Sequence, residues 1–236
     1  MNFDNYKFRA SSIGALMTDS RTKEPLGETA KAKLMEIYLK EVYGRDKELI
    51  NKYINKGLQV EEDSITLYSR NKKTFFKKNE ERLSNEFICG TPDLFEGETI
   101  QTATEIIDIK SSWDIHTFFG VMTKAMNKSY IYQLQSYMAL TGAKNAKLVY
   151  CLVSTPMPLI LDEIKKLQWK MGVSDPDANE VFKQAASYLE SSMQYDDIPM
   201  EERFIEFTLE RNENMIDSIY ERVKECRKFL NNLTKQ

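Results

Sequence analysis

Three carboxylates and a lysine stand out in this 236-residue chain for the chemistry that their types and spacing allow. Asp93 follows Gly90-Thr91-Pro92, a turn whose glycine and proline fix the backbone path and so give the carboxylate a defined direction. Asp108 and Lys110 lie in the run Glu105-Ile106-Ile107-Asp108-Ile109-Lys110, whose isoleucines mark a buried strand. Side chains alternate faces along a strand, so Asp108 and Lys110 share one face while Glu105, Ile107 and Ile109 take the other. An acid and a base set into an apolar element are costly unless a partner completes them. Glu61 is the third carboxylate. On a helix it aligns with Leu58, Ile65 and Tyr68, a stripe expected to pack inward, whereas Glu62 aligns with Thr66 and Ser69. Gln133 and Tyr137, four apart, form a polar rung on a further helix. Taken singly, each has a plain structural reading: a strand-end ion pair, a turn aspartate, a carboxylate skirting a stripe, a surface pair. Taken together, three carboxylates suit a hard divalent cation, and Lys110 would orient a water and stabilise charge developing on a phosphodiester.

Several elements must position these groups. Residues 29–42 read as a helix, with Leu34, Ile37, Tyr38 and Val42 at helical spacing, and residues 55–69 read as a second. The segment 72–95 reads as a hairpin around a polar turn, and 104–112 as a central strand. Residues 114–142 form a long, broken helical stretch that stops at Gly142, and 146–154 form another strand ended by Thr155 and Pro156. From Glu163 onward helical pattern alternates with polar loops, closing in an amphipathic helix over 213–233. Phe118, Phe119, Met122 and Met126 are expected in the core, and His116 is expected to be structural or exposed. This order predicts an α/β fold, a mixed central sheet flanked by helices.

Composition narrows the class. Apolar residues make up 42% and charged residues 29% of the chain, ordinary values for a soluble globular protein. No apolar run is long enough to cross a bilayer, and the first residues carry no apolar signal core, so a cytoplasmic location is expected. Cys89, Cys151 and Cys226 are few and far apart, which argues against a disulfide framework and a four-cysteine metal site. A single histidine, His116, argues against histidine-rich metal chemistry. The net charge of −3 does not advertise nucleic acid, although a basic groove beside an acidic metal site is compatible with it. Arg70, Lys72, Lys73, Lys77 and Lys78 around Phe75 and Phe76 read either as a solvated edge or as a backbone-contacting patch.

The residues "GTPDLF" followed by "EIIDIKSS" resemble the defining motif of the PD-(D/E)xK nuclease superfamily. The sequence Gly57-Leu58-Gln59-Val60-Glu61 is similar to the Gly-x-x-x-Glu helix of the phage lambda exonuclease and YqaJ-type viral recombinase branch. "YIYQLQSYMALTG" resembles its glutamine helix and also the Gln-x-x-x-Tyr motif of RecB-like nucleases; "FRASSIGALMT" resembles the element in which a serine holds DNA phosphate. The resemblance covers residues 8 to about 155, within a single nuclease domain over 1–236 that carries a C-terminal helical extension from about 160. It implies a restriction-endonuclease-like sheet and a Mg²⁺-dependent exonuclease, with Mn²⁺ able to substitute, acting on duplex DNA ends from 5′ to 3′. It further implies that Glu61, Asp93, Asp108 and the carbonyl of Ile109 bind metal, that Lys110 is catalytic, and that Gln133 supports it. Ser11, Arg9, Tyr137, Lys124 and Lys128 would contact DNA. The family's arginine upstream of the serine is absent, and Arg9 is the nearest candidate to replace it. A single-strand annealing protein and a homotrimer are implied as partners, and no membrane. The alternatives are a RecB-like nuclease acting on single-stranded ends or flaps, and a nuclease-fold module that binds DNA without cutting.

Overall fold

The computed structural model describes residues 2–21, 23–47 and 51–234. In chain order, the first elements are β1 (Phe8–Arg9), α1 (Ala10–Leu16), α2 (Glu28–Tyr43) and α3 (Lys52–Lys72), then the short strands β2 (Leu83–Ser84), β3 (Ile88–Gly90) and β4 (Leu94–Glu96). Next come β5 (Glu105–Ser111), α4 (Ile115–Gly120), α5 (Lys128–Thr141) and β6 (Asn145–Cys151). The chain closes with α6 (Met157–Lys170), α7 (Glu180–Ser191), β7 (Phe204–Glu210) and α8 (Glu213–Leu233).

The expected sheet is divided in two. A four-stranded sheet has the order β4-β5-β6-β7, and a three-stranded sheet has the order β1-β3-β2. Strands β5 and β6 run parallel, with Asp108 opposite Leu148 and Lys110 opposite Tyr150, and antiparallel β4 and β7 form the edges. Helices cover both faces. Ile107 and Ile109 pack with Val60, Ile65 and Tyr68 of α3, while Ile106 packs with Leu134 and Met138 of α5. Asp108 and Lys110 therefore rise from the α5 side, as period-two alternation requires.

α5 is held in place from the N-terminal side. Gly14 of α1 lies so close to Ser129 that a Cβ would come within 2.4 Å of the Ser129 Cα, so only a glycine lets α1 cross the first turn of α5 there. α8 is part of the same core. Ile219, Val223, Cys226 and Leu230 pack among Phe8, Ile13 and Leu34, and the buried Arg227 donates Nε to the Tyr6 carbonyl at 3.0 Å.

Four expectations are corrected. The hairpin over 72–95 shrinks to β2 and β3, because Pro92 ends that pairing and β4 joins the other sheet; Phe75 is 90% exposed while Phe76 stacks on Tyr68. Residues 204–210, expected among helices and loops, form β7, whose alternating FIEFTLE pattern is a strand signal set between polar segments. Phe119 and Met122 are exposed rather than core, since α4 is a single short turn-and-a-half that buries only Phe118. Leu58 is 72% exposed, because the inward stripe of α3 runs through Lys56, Val60, Ser64 and Tyr68, which turns Leu58 outward and sets Glu61 at the stripe's edge. No described helix is long and apolar enough to cross a membrane.

That stripe contains a fully buried lysine. Lys56 donates to the Trp113 carbonyl at 2.9 Å and lies 5.5 Å from the Tyr195 ring centroid. Burial pulls its pKa from the ordinary 10.5 down to about 8, against a smaller opposing pull from Asp114. Below pH 8 the ammonium is charged in both folded and unfolded chains, so its burial cost is felt in full. Between pH 8 and 10.5 the folded chain sheds the proton first and the cost fades. Chemical denaturation of the wild type and Lys56→Met across this range should show wild-type stability rising relative to the variant by about 3 kcal/mol. A pH-independent difference would show that Lys56 is not buried as an ammonium.

Candidate active site

β5 is the floor of the site. Asp108 is 1% exposed; its Oδ1 accepts from Gln133 Nε2 at 3.1 Å, and its Oδ2 is ion-paired with Lys110 without hydrogen-bond alignment. A buried carboxylate is tolerable only with such partners. Asp93, placed by the Gly90–Pro92 turn at the mouth of β4, accepts at Oδ2 from the Ile109 amide at 2.8 Å. A strand residue points its N–H and C=O to the same side, so the Ile109 carbonyl also faces the margin where β4 ends.

Crowding of the acids shows in their protonation. Burial, and then the Asp108 charge, push the Asp93 carboxyl up to about 7, with Lys110 and the Ile109 amide opposing. Burial alone would lower Lys110, but Asp108 and Asp93 outweigh it and hold the ammonium above the ordinary lysine value. Two close carboxylates, one with a buried oxygen lacking an aligned donor, fit a hard cation by the chemistry of their donors.

Glu61 is placed differently from the sequence expectation. Its carboxylate accepts from Lys78 at 2.7 Å, and among the described residues no group of three His, Cys, Asp or Glu stands at metal-holding spacing. Glu61 nevertheless lines the same cavity of about 550 Å³ as Asp93, Ile109 and Lys110, with Trp113 and Tyr130 on its walls.

A second cavity of about 280 Å³ is lined by Tyr137 together with Arg9, Ser11, Arg82, Gly90 and Thr91. Gln133 links the two regions, since its Nε2 reaches both Asp108 Oδ1 and, at 3.0 Å, Tyr137 Oη. Burial, and then the Asp108 charge, raise the Tyr137 pKa, so its hydroxyl stays protonated. The structure thus brings Ser11, Arg9 and Tyr137 together. Lys124 and Lys128 are exposed and line neither cavity. His116 is exposed. Of the basic run, Lys72 pairs with Glu206 and Lys78 with Glu61, so part of it serves the fold. Lys78's contact with Glu61, Arg82, Thr91 and Tyr130 had no signal of their own in the sequence, since each depends on chain crossings that spacing does not reveal.

No protein-family model matches the chain, and no curated protein matches it. Solved structures do. A phage-related exonuclease from Haemophilus somnus 129PT aligns at 27% identity and a TM-score of 0.76, over 98% of this chain and 96% of that one. The alkaline exonuclease LHK-Exo from Laribacter hongkongensis aligns at 16% identity and a TM-score of 0.64, over 98% of this chain and 93% of that one. Its complex with dAMP aligns at 18% and 0.63, over 97% and 90% respectively. Over nearly its whole length the chain is thus similar to a phage-related exonuclease and shares the fold of an alkaline exonuclease, in keeping with its sequence resemblance to the lambda and YqaJ branch of the PD-(D/E)xK nucleases.

The placement of Tyr137 in the Gln133–Tyr137 rung depends on Gly90. A Cβ there would lie 2.6 Å from the Tyr137 ring and 3.1 Å from Ala10 Cβ. Gly90→Ala should lower stability by about 1–3 kcal/mol in thermal unfolding, and adding Tyr137→Leu should recover part of that loss. Strictly additive losses would place the strain elsewhere.

Proposed function

We propose that the chain is a metal-dependent DNA exonuclease that hydrolyses phosphodiester bonds at duplex ends, removing nucleotides from 5′ to 3′. The observation that carries this reading is the buried Asp108 paired with Lys110, which lines one cavity together with Asp93. It is supported by the likeness to a phage-related exonuclease over nearly the whole chain. Polarity and preference for duplex ends rest on the family resemblance.

Asp93 and Asp108, with the Ile109 carbonyl and Glu61, would hold Mg²⁺, or Mn²⁺ in its place. Such a cation, when bound, supplies an acidified water and neutralises phosphodiester charge. Glu61 takes part by exchanging its Lys78 partner. Lys110, anchored on Asp108, orients the attacking water and stabilises the negative charge that gathers on the phosphoryl oxygens. Gln133 fixes the Asp108 carboxylate through Oδ1 and so keeps its other oxygen turned to the site.

The second cavity offers Arg9, Ser11 and the Tyr137 hydroxyl to DNA phosphate, a donor set that suits backbone contact. Lys124 and Lys128 would extend that contact over the α4–α5 surface as general electrostatic attraction. The chain would act in the cytoplasm and, by the same resemblance, as a ring-shaped trimer. Its single-stranded product would pass to an annealing protein.

Lys110→Ala and Asp108→Asn should each reduce Mg²⁺-supported digestion of linear duplex DNA by at least about a hundredfold while far-UV circular dichroism remains that of the folded chain. Wild-type rates in either variant would remove these residues from the site.

A further inference from the structure

Lys110 carries its ammonium on a flexible four-carbon stem, and β5 fixes only the base of that stem. Asp108 holds the ammonium from one side. On another side stands the ring of Tyr130, with its centroid 5.4 Å from Lys110 Nζ. Tyr130 belongs to the first turn of α5, three residues before Gln133, so one helix reaches both members of the acid–base pair.

The ring is itself braced. Tyr150 meets it edge-on at 6.4 Å, and Tyr150 is the residue directly across from Lys110 in the β5–β6 register. Phe207 of β7 then meets Tyr150 edge-on at 6.1 Å. Three half-buried rings from α5, β6 and β7 thus form a row, with Tyr130 at the end against the lysine. An ammonium is drawn to the face of an aromatic ring, more strongly where water is partly excluded. A lysine bound only by a neighbouring carboxylate on its own strand would be free to fold down onto it.

We propose that Tyr130 is a positioning residue whose ring, together with Asp108, holds the Lys110 ammonium in the orientation that the hydrolysis requires; the inference rests on the nuclease reading above. What matters is the face of the ring and not its hydroxyl. Removal of the face leaves substrate binding intact and lets the ammonium wander, which slows the chemical step.

The test is steady-state digestion of linear duplex DNA in excess Mg²⁺ by Tyr130→Phe and Tyr130→Leu, with thermal unfolding followed in parallel. Tyr130→Phe should stay within about twofold of wild type. Tyr130→Leu should lower kcat about tenfold with KM changed by less than about twofold. If Tyr130→Leu does not fold, Tyr130→Met, unbranched and better able to adapt to the gap, carries the same expectation. Three results would overturn the proposal: wild-type kcat in the leucine or methionine variant, a rise in KM alone, or an equal loss in Tyr130→Phe. The first removes the role, the second makes the ring a DNA contact, and the third assigns the effect to the hydroxyl. Undiminished cleavage by Lys110→Ala is a separate outcome: it removes the nuclease reading itself, whatever the Tyr130 series shows.

Discussion

A carboxylate buried in the middle of a sheet is the constraint around which this molecule is arranged. Asp108 has 1% of its surface exposed, on a strand whose neighbours are isoleucines. An isolated charge there would cost far more than a domain's net stability, so the fold must bring partners to it. It does so from two directions: Lys110 from the same strand face, and Gln133 from α5. α5 can deliver Gln133 because Gly14 lets α1 press against its first turn, and because α1 is in turn packed among residues of α2 and α8. The requirements of one carboxylate thereby extend to the C-terminal helix.

The same chain of contacts joins the acidic cavity to the basic one. Gln133 touches Asp108 on one side and Tyr137 on the other, and Tyr137 forms a wall of the cavity that holds Arg9 and Ser11. Acidic groups that suit a cation and donors that suit phosphate thus stand a single side chain apart. Such an arrangement fits a substrate that is itself a polyanion and must be held at one phosphate while another is attacked.

Part of this was legible in the sequence. The common face of Asp108 and Lys110 follows from period-two alternation, and the Gln133–Tyr137 rung from helical spacing; both hold in the structure. The helices around residues 29–42 and 55–69 also stand, each a few residues longer than its apolar pattern. What escaped depends on tertiary contact. The phase of α3 is set by Lys56, a residue that no hydrophobic count places inside, and this turned Leu58 outward. Lys78 reaches Glu61 from a segment with no regular structure, so a charge that read as solvated edge became the partner of an expected metal ligand. β7 was hidden because none of its seven residues is fully buried and three of them are polar, although the sequence alternates from Ile205 onward. The row of Tyr130, Tyr150 and Phe207 exists only once three separate elements are side by side.

The most direct measurement is digestion of a linear duplex labelled at one 5′ end or at one 3′ end, with Mg²⁺ or with EDTA, beside a closed circle of the same DNA. The account expects release of the 5′ label first, only with Mg²⁺, and an untouched circle. Cutting of the circle would contradict action at ends, cleavage undiminished in EDTA would contradict the metal site, and binding without any cutting would contradict the assignment of Asp108 and Lys110 to catalysis.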